Sequence, residues 1–147
     1  MQVDFYQLGS RPVEQVLPRI AERLVEGGAR LLVVSAEAGQ LRTLDAALWA
    51  WKPEAFMPHA IAGTDDDEAQ PILLAHAAAP AANAARNVAL IDGAWREEAL
   101  GFERAFHFFD GETVEAARAA WRGLTGREGV ERRYWAQDDD GRWSQMA

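Results

Sequence analysis

Apolar residues follow two patterns along the chain: short unbroken runs, and stretches in which they recur every three or four positions. The unbroken runs predict strands at residues 3–8, 29–36, 71–76, 87–92 and 105–110. The spaced stretches predict amphipathic helices that start at Pro12, cover residues 39–51 and follow Asp110. Strands that alternate with helices are typical of an α/β fold, so we predict a largely parallel central sheet.

The third predicted helix and the segment after it carry clear boundary signals. Asp110 is expected to cap this helix, because an aspartate side chain accepts hydrogen bonds from the first helical N–H groups. The stripe of the helix turned to the core consists of Val114, Ala117, Trp121 and Leu124. Residues 131–145 then predict a hairpin, with the Asp-Asp-Gly sequence of residues 139–141 at its turn.

Two large aromatic residues fall outside the predicted core. A proline cannot donate a helical hydrogen bond, so Pro53 should end the second helix near Trp51 or Lys52. The core-facing stripe of that helix consists of Leu41, Leu44, Leu48 and Trp51. Trp49 lies off this stripe, and Phe56 lies in the loop that follows. Such aromatics predict a surface that binds a partner, and the alternative is a loop folded back over the core.

Size and composition predict a globular protein with a core of its own. The 147 residues, of which 49% are apolar and 26% charged, predict a single domain over residues 1–147. The absence of cysteine excludes disulfide bonds and cysteine-ligated zinc. No signal-peptide pattern and no apolar run long enough for a membrane span are found. We therefore expect a cytoplasmic protein that does not bind membranes.

Positive charge is concentrated in one part of a chain that is acidic overall, with a formal net charge of −8. Residues 117–135 contain five arginines and two glutamates, which gives a local charge of +3. The acidic total argues against wrapping nucleic acid over the whole surface. A basic patch on an acidic body instead indicates a small acidic ligand or an acidic peptide.

The arginines of this patch are interleaved with aromatic residues. Arg118 and Arg122 are four positions apart and share a face of the third helix, while Arg132 and Arg133 precede Tyr134. Guanidinium groups bind carboxylates in pairs, so the combination fits a peptide with an acidic stretch and a hydrophobic end. The alternative, which the sequence supports equally, is a solvated face paired with nearby acidic residues, namely Glu112, Glu115 and Glu131.

Motifs for catalysis, nucleotide binding or metal binding are not found in the sequence. The turn after the first strand, GSRP at residues 9–12, lacks the glycines that let backbone amides approach a phosphate. The three histidines have no metal-ligand spacing, and the acidic run at residues 65–68 lacks the pattern of a calcium loop. We therefore predict no catalytic residue, no metal and no cofactor. An α/β enzyme or nucleotide-binding protein with an unrecognised site is the alternative.

Several segments, in their order and spacing, resemble one family over almost the whole chain. They are VDFYQL, LDAALWAWKPEAFMPH, VALID, FERAFHFFD, ARAAWR and YWAQDDDGRW. On these segments the sequence is similar to the chi subunit of bacterial DNA polymerase III holoenzyme. The resemblance implies a three-layer α/β domain that resembles nucleotide-binding domains in architecture but lacks a phosphate loop.

The resemblance also implies an accessory subunit that has no catalytic activity of its own. Chi subunits bind the psi subunit of the clamp loader and the acidic C-terminal tail of single-stranded DNA-binding protein during DNA replication. They therefore reach DNA indirectly, through these partners. The psi-binding residues implied for this chain are Trp49 and Phe56. The implied tail-binding residues are Arg118, Trp121 and Arg122, with Arg127 as a further basic residue about one turn later.

Overall fold

The computed structural model describes residues 1–147, in which three α-helices flank one eight-stranded sheet. The strands are β1 (Gln2–Gln7), β2 (Leu31–Val34), β3 (His59–Ile61), β4 (Ile72–Ala75), β5 (Asn87–Leu90), β6 (Arg104–Phe109), β7 (Glu131–Gln137) and β8 (Trp143–Gln145). The helices are α1 (Val13–Glu26), α2 (Ala38–Trp49) and α3 (Val114–Gly123), and two short 3-10 helices cover Asp67–Ala69 and Glu97–Gly101. None of the helices combines the length and the apolar character needed to cross a membrane.

The strands are arranged in the order β3-β4-β2-β5-β6-β1-β7-β8. Every neighbouring pair is parallel except β7 and β8, which form an antiparallel hairpin. The Asp138 carboxylate accepts hydrogen bonds from the N–H groups of Asp140 and Arg142 at 2.9 and 2.8 Å. Gly141 adopts a φ of 81°, which glycine tolerates without a steric cost. The predicted parallel sheet and the predicted hairpin turn are both confirmed.

Helices cover both faces of the sheet. α1 and α2 pack on one face, where Leu17 and Leu44 join a buried cluster with Phe108. α3 packs on the other face, where Ala117 joins a second cluster that contains Phe5. Because successive residues of a strand point to opposite faces, strands between two helical layers need an unbroken apolar run. The predicted three-layer α/β architecture is confirmed.

Strand β3 is absent from the sequence-based prediction. It spans three residues at one edge of the sheet and pairs with β4 alone. This strand starts with a histidine directly after Pro58. Its three residues are too few to show an apolar run or an alternation of apolar and polar residues. Pairing with β4, rather than a local pattern, therefore defines this strand.

Two helix boundaries differ from the expected ones. α2 ends at Trp49, two residues before Trp51, because Pro53 clashes with the carbonyl one turn earlier and disfavours helical geometry at the preceding residue. Asp110 is not the cap of α3, whose N-cap position is Thr113. The Asp110 carboxylate instead accepts hydrogen bonds from the N–H groups of Glu112 and Thr113, at 2.9 and 3.1 Å, in a turn that precedes the helix.

Candidate functional site

The loop after α2 presents two large aromatic side chains to solvent. Trp49 is 72% exposed and Phe56 is 85% exposed, whereas the neighbouring Met57 is only 7% exposed and belongs to the core cluster beneath α1 and α2. Met57 thus anchors the loop while Phe56 points outward. The predicted exposure of both rings is confirmed, and the alternative that places them in a loop folded over the core is wrong.

Trp49 rests on a buried histidine at the start of β3. The ring centres of Trp49 and His59 are 4.6 Å apart with a tilt of 54°. His59 is in turn held by its Nδ1, which lies 2.9 Å from the Met57 carbonyl oxygen, and by its Nε2, which lies 3.2 Å from Asp45 Oδ1. Sequence analysis did not predict that His59 packs beneath Trp49. This contact depends on the position of β3, a strand that has no recognisable sequence pattern.

Trp49 and Phe56 line one shallow depression, to which Leu48, Met57 and Pro58 also contribute. Its lining also includes His59 and Gln70 but no aspartate, glutamate, lysine or arginine. The two exposed rings therefore share one largely apolar depression. We refer to Trp49, Phe56 and this depression as the aromatic surface.

The opposite face of the sheet carries a cationic surface built on α3 and β7. Trp121 is half-buried and packs edge-on against Phe5 and Tyr134, with ring centres 5.3 and 5.8 Å away. The Arg132 guanidinium lies 4.1 Å above the Trp121 ring and donates a hydrogen bond to the Trp121 carbonyl. This surface, which we call the arginine surface, comprises Arg118, Trp121, Arg122, Arg127 and Arg132.

Three arginines of this surface, Arg118, Arg122 and Arg127, are exposed. Arg118 pairs with Glu115 at 2.9 Å and Arg127 pairs with Glu97 at 3.2 Å, but all four side chains are largely in water. Exposed pairs of this kind are worth about 0–1 kcal/mol, so an incoming anion can replace the glutamates. Arg122 is exposed and makes no ion pair or side-chain hydrogen bond. Of the acidic partners named in the alternative, Glu115 pairs with an arginine of this surface, and Arg122 has no ion pair.

The positive charge of the arginine surface affects the pKa of Tyr134. Burial raises the pKa of the Tyr134 hydroxyl, and the positive charge of Arg118 partly offsets that rise. Tyr134 also donates a hydrogen bond from its hydroxyl to Gln7 Oε1. The ring that lines the surface is therefore held in place from β1 and lies within the field of Arg118.

Arg133 does not belong to the arginine surface, although the sequence groups it with Arg132 in the basic patch. Successive residues of β7 point to opposite faces, so Arg133 lies on the side opposite Arg132. It pairs there with Glu131 at 3.2 Å, and its charge acts on Tyr6 rather than on Tyr134. Arg132 supplies the position next to Trp121.

The crevice at the carboxyl ends of β1, β5 and β6 is acidic. In nucleotide-binding α/β folds a phosphate binds in such a crevice, but here its lining includes Glu14, Glu37, Asp92, Asp110 and Glu112. Burial raises the pKa of Asp92, yet hydrogen bonds from Arg96 and from backbone N–H groups outweigh it and lower the pKa to about 2. Ionised carboxylates would repel a phosphate, in agreement with the missing phosphate loop.

His107 is the titratable side chain most deeply enclosed on the α3 face. It is fully buried among Phe5, Trp95 and Phe109, and neither ring nitrogen has a hydrogen-bond partner. Burial lowers its pKa to about 4, so the ring is neutral at pH 7. No group of three or more His, Cys, Asp or Glu side chains lies in position to hold a metal ion.

Comparison with known proteins identifies one matching family. A family model described as "DNA polymerase III chi subunit, HolC" matches residues 1–131. The DNA polymerase III subunit chi of Pseudomonas aeruginosa is 34% identical over 76 residues, which are 50% of this chain and 52% of that protein. The DNA polymerase III subunit chi of Escherichia coli K12 is 36% identical over 67 residues, 46% of each chain. The chain thus spans about half the length of the curated relatives it matches.

Proposed function

The chain belongs to the DNA polymerase III chi subunit family, and from this we propose that it is a non-catalytic adaptor of the replication machinery. In this proposal the aromatic surface binds the psi subunit and so joins the clamp loader. The arginine surface binds the acidic C-terminal tail of single-stranded DNA-binding protein. The chain then reaches DNA through these partners and is expected in the cytoplasm.

The presence of two surfaces of different chemistry on different layers of the fold supports this proposal most directly. The aromatic surface belongs to the α1 and α2 layer at β3, whereas the arginine surface belongs to the α3 layer at β1 and β7. β3 and β1 are five strand spacings apart in the sheet order, which corresponds to roughly 24 Å. Two partners could therefore occupy the surfaces at the same time.

At the aromatic surface, binding would come from apolar contact. The Trp49 ring already packs on His59, so a partner loses little further side-chain entropy when it covers that ring, while Phe56 offers the larger exposed fraction. Buried aromatic anchors of this kind commonly dominate the energy of an interface. The apolar depression between the rings would accept one or more side chains of psi.

At the arginine surface, binding would begin with electrostatic attraction. The positive potential of Arg118, Arg122 and Arg127 would draw in an acidic peptide, and a guanidinium fork would hold its terminal carboxylate. The last hydrophobic side chain of the peptide would lie against Trp121 and Tyr134. This arrangement accounts for a cationic surface on a chain whose formal net charge is −8.

The proposal is tested by assembling the complex from purified components. The chain would be mixed with psi from the same bacterium and with a peptide ending in Asp-Asp-Asp-Ile-Pro-Phe, the tail that the resemblance implies. We expect one species that contains all three components by analytical ultracentrifugation, and no binding of a peptide with the same composition in scrambled order. Displacement of the peptide by psi would contradict two separate sites. Thermal stabilisation by nucleotides, with no response to the peptide, would support a nucleotide-binding protein instead.

A further inference from the structure

Phe56 lines two depressions that differ in chemistry. The one on the Trp49 side is the apolar depression of the aromatic surface. The second lies between the loop and α1, and its charged lining consists of Glu22, Glu26, Lys52 and Glu54. We call the second depression the acidic depression. A segment of a partner that covers the Phe56 ring would contact both.

The charges of the acidic depression are only partly balanced within the chain. Lys52, the chain's one lysine, pairs with Glu22 at 3.0 Å. Glu26 and Glu54 are exposed and make no ion pair or side-chain hydrogen bond. Two carboxylates without a partner therefore lie beside a ring that is 85% exposed.

A partner that buries Phe56 must also take water away from these carboxylates. Moving an ionised carboxylate out of water is unfavourable unless an opposite charge or hydrogen-bond donors replace the water. An apolar or acidic segment would supply neither of these. A lysine or arginine side chain would supply both, since its apolar stem can lie along Phe56 while its charged end reaches a carboxylate.

We infer that the segment of psi that binds the aromatic surface is amphipathic and cationic. Its apolar side chains enter the depression next to Trp49, and one or more lysine or arginine side chains contact Glu26 and Glu54. This inference rests on the proposed function and adds the chemistry of the partner to it. The acidic depression also repels the acidic tail of single-stranded DNA-binding protein, so charge directs each partner to its own surface.

The inference is tested by the kinetics of association with psi. The double variant Glu26→Gln, Glu54→Gln removes both free charges and keeps the shape of the side chains. We expect its association rate constant to be roughly fivefold lower than that of the wild type at low ionic strength, because the lost charges steer the encounter. The difference should disappear in 1 M salt, where the screening length is about 3 Å.

A matched control separates the local effect from the change in net charge. Glu98 and Glu128 are also exposed and unpaired but do not line either depression, so Glu98→Gln, Glu128→Gln changes the total charge equally. This variant should associate with psi at the wild-type rate. If both double variants associate alike while Phe56→Ala weakens psi binding, the inference is overturned and the proposed function stands. If psi fails to bind the wild type, or binds both Trp49→Ala and Phe56→Ala like the wild type, the proposed function falls as well.

Discussion

Trp49, at the end of α2, and Phe56, directly before the buried Met57, are exposed side chains. Replacing either with alanine should weaken psi binding by roughly 2 kcal/mol or more, as for a central aromatic anchor. Thermal unfolding should change little, because neither ring contributes much to the core. Isothermal titration with psi measures the effect.

Met146 offers a control of the same kind, since it is also a large hydrophobic side chain and is 63% exposed. Met146→Ala should bind psi like the wild type. Wild-type affinity of both aromatic variants would remove the aromatic surface from the proposal.

The two arginines of α3 that flank Trp121 should dominate recognition of the acidic tail. In the double variant Arg118→Glu, Arg122→Glu the surface loses two positive charges and gains two negative ones. We expect tail affinity to fall at least tenfold, about 1.4 kcal/mol, and wild-type binding to weaken as salt is added. Titration of the tail peptide at several salt concentrations gives both quantities.

Arg19 and Arg23 provide the matched control, because they are exposed arginines four positions apart on α1. Arg19→Glu, Arg23→Glu alters the net charge by the same amount on the other layer of the fold. Its affinity for the tail should fall much less. Equal losses in the two double variants would point to a non-specific effect of net charge.

His107 should make stability depend on pH in a defined window. Its pKa is about 4 in the folded chain, compared with 6.5 for an unperturbed histidine. Below pH 6.5 the unfolded chain binds a proton that the folded chain does not, so stability is fully present above that pH and falls as the pH approaches 4. The loss from this residue should reach about 3 kcal/mol.

Urea unfolding at a series of pH values measures this loss. His107→Leu removes the titrating group while keeping an apolar side chain, so its stability should vary less between pH 6.5 and 4. The pKa of Asp92 is lowered from 3.8 to about 2, so its contribution is lost mainly below this window. An unchanged pH dependence in His107→Leu would contradict the role of the buried ring.

At the scale of elements, the loop after β5 packs closely against the start of α3 because Gly93 has no side chain. Gly93 adopts a φ of 79°, and a Cβ added there would lie 2.5 Å from Thr113 Cγ2. Gly93→Ala should therefore lower the free energy of unfolding by roughly 2 kcal/mol, because backbone strain and the clash add. Chemical denaturation measures this value.

Gly111 is a suitable control for that substitution. It lies in the turn before the same helix, its backbone is outside the left-handed region, and a Cβ there meets no atom within 4 Å. Gly111→Ala should change the free energy of unfolding by much less than Gly93→Ala. A similar loss in both variants would show that the contact with Thr113 is not the cause.

At the scale of the whole molecule, the sheet separates the two proposed binding surfaces. Substitutions on one surface should therefore leave binding at the other unchanged within about twofold, since distant sites with no shared contacts behave additively. We expect Arg118→Glu, Arg122→Glu to bind psi normally and Trp49→Ala to bind the tail peptide normally. Cross-titration of the four combinations tests this, and a shared loss would indicate one continuous site or a damaged fold.

The sequence alone determined the fold class and most of its elements. Apolar periodicity is a local property, so the runs behind β2, β4 and β5 and the spaced residues of α1 could be read directly. The same periodicity predicted that Trp49 is exposed, because its position on α2 lies off the apolar stripe. Phe56 was recognisable for the opposite reason, since its loop has no periodicity that would bury it.

The tertiary structure alone decided how these elements meet. β3 exists through its pairing with β4, and only that pairing brings His59 beneath Trp49. Likewise, the register of β7 next to β1 sends Arg132 to Trp121 and Arg133 to the opposite face. The acidic depression is lined by residues of α1 and of the loop after α2. No local sequence pattern predicts that these two segments lie side by side. Local patterns encode which face of an element is apolar, but proximity between elements depends on packing across the whole chain.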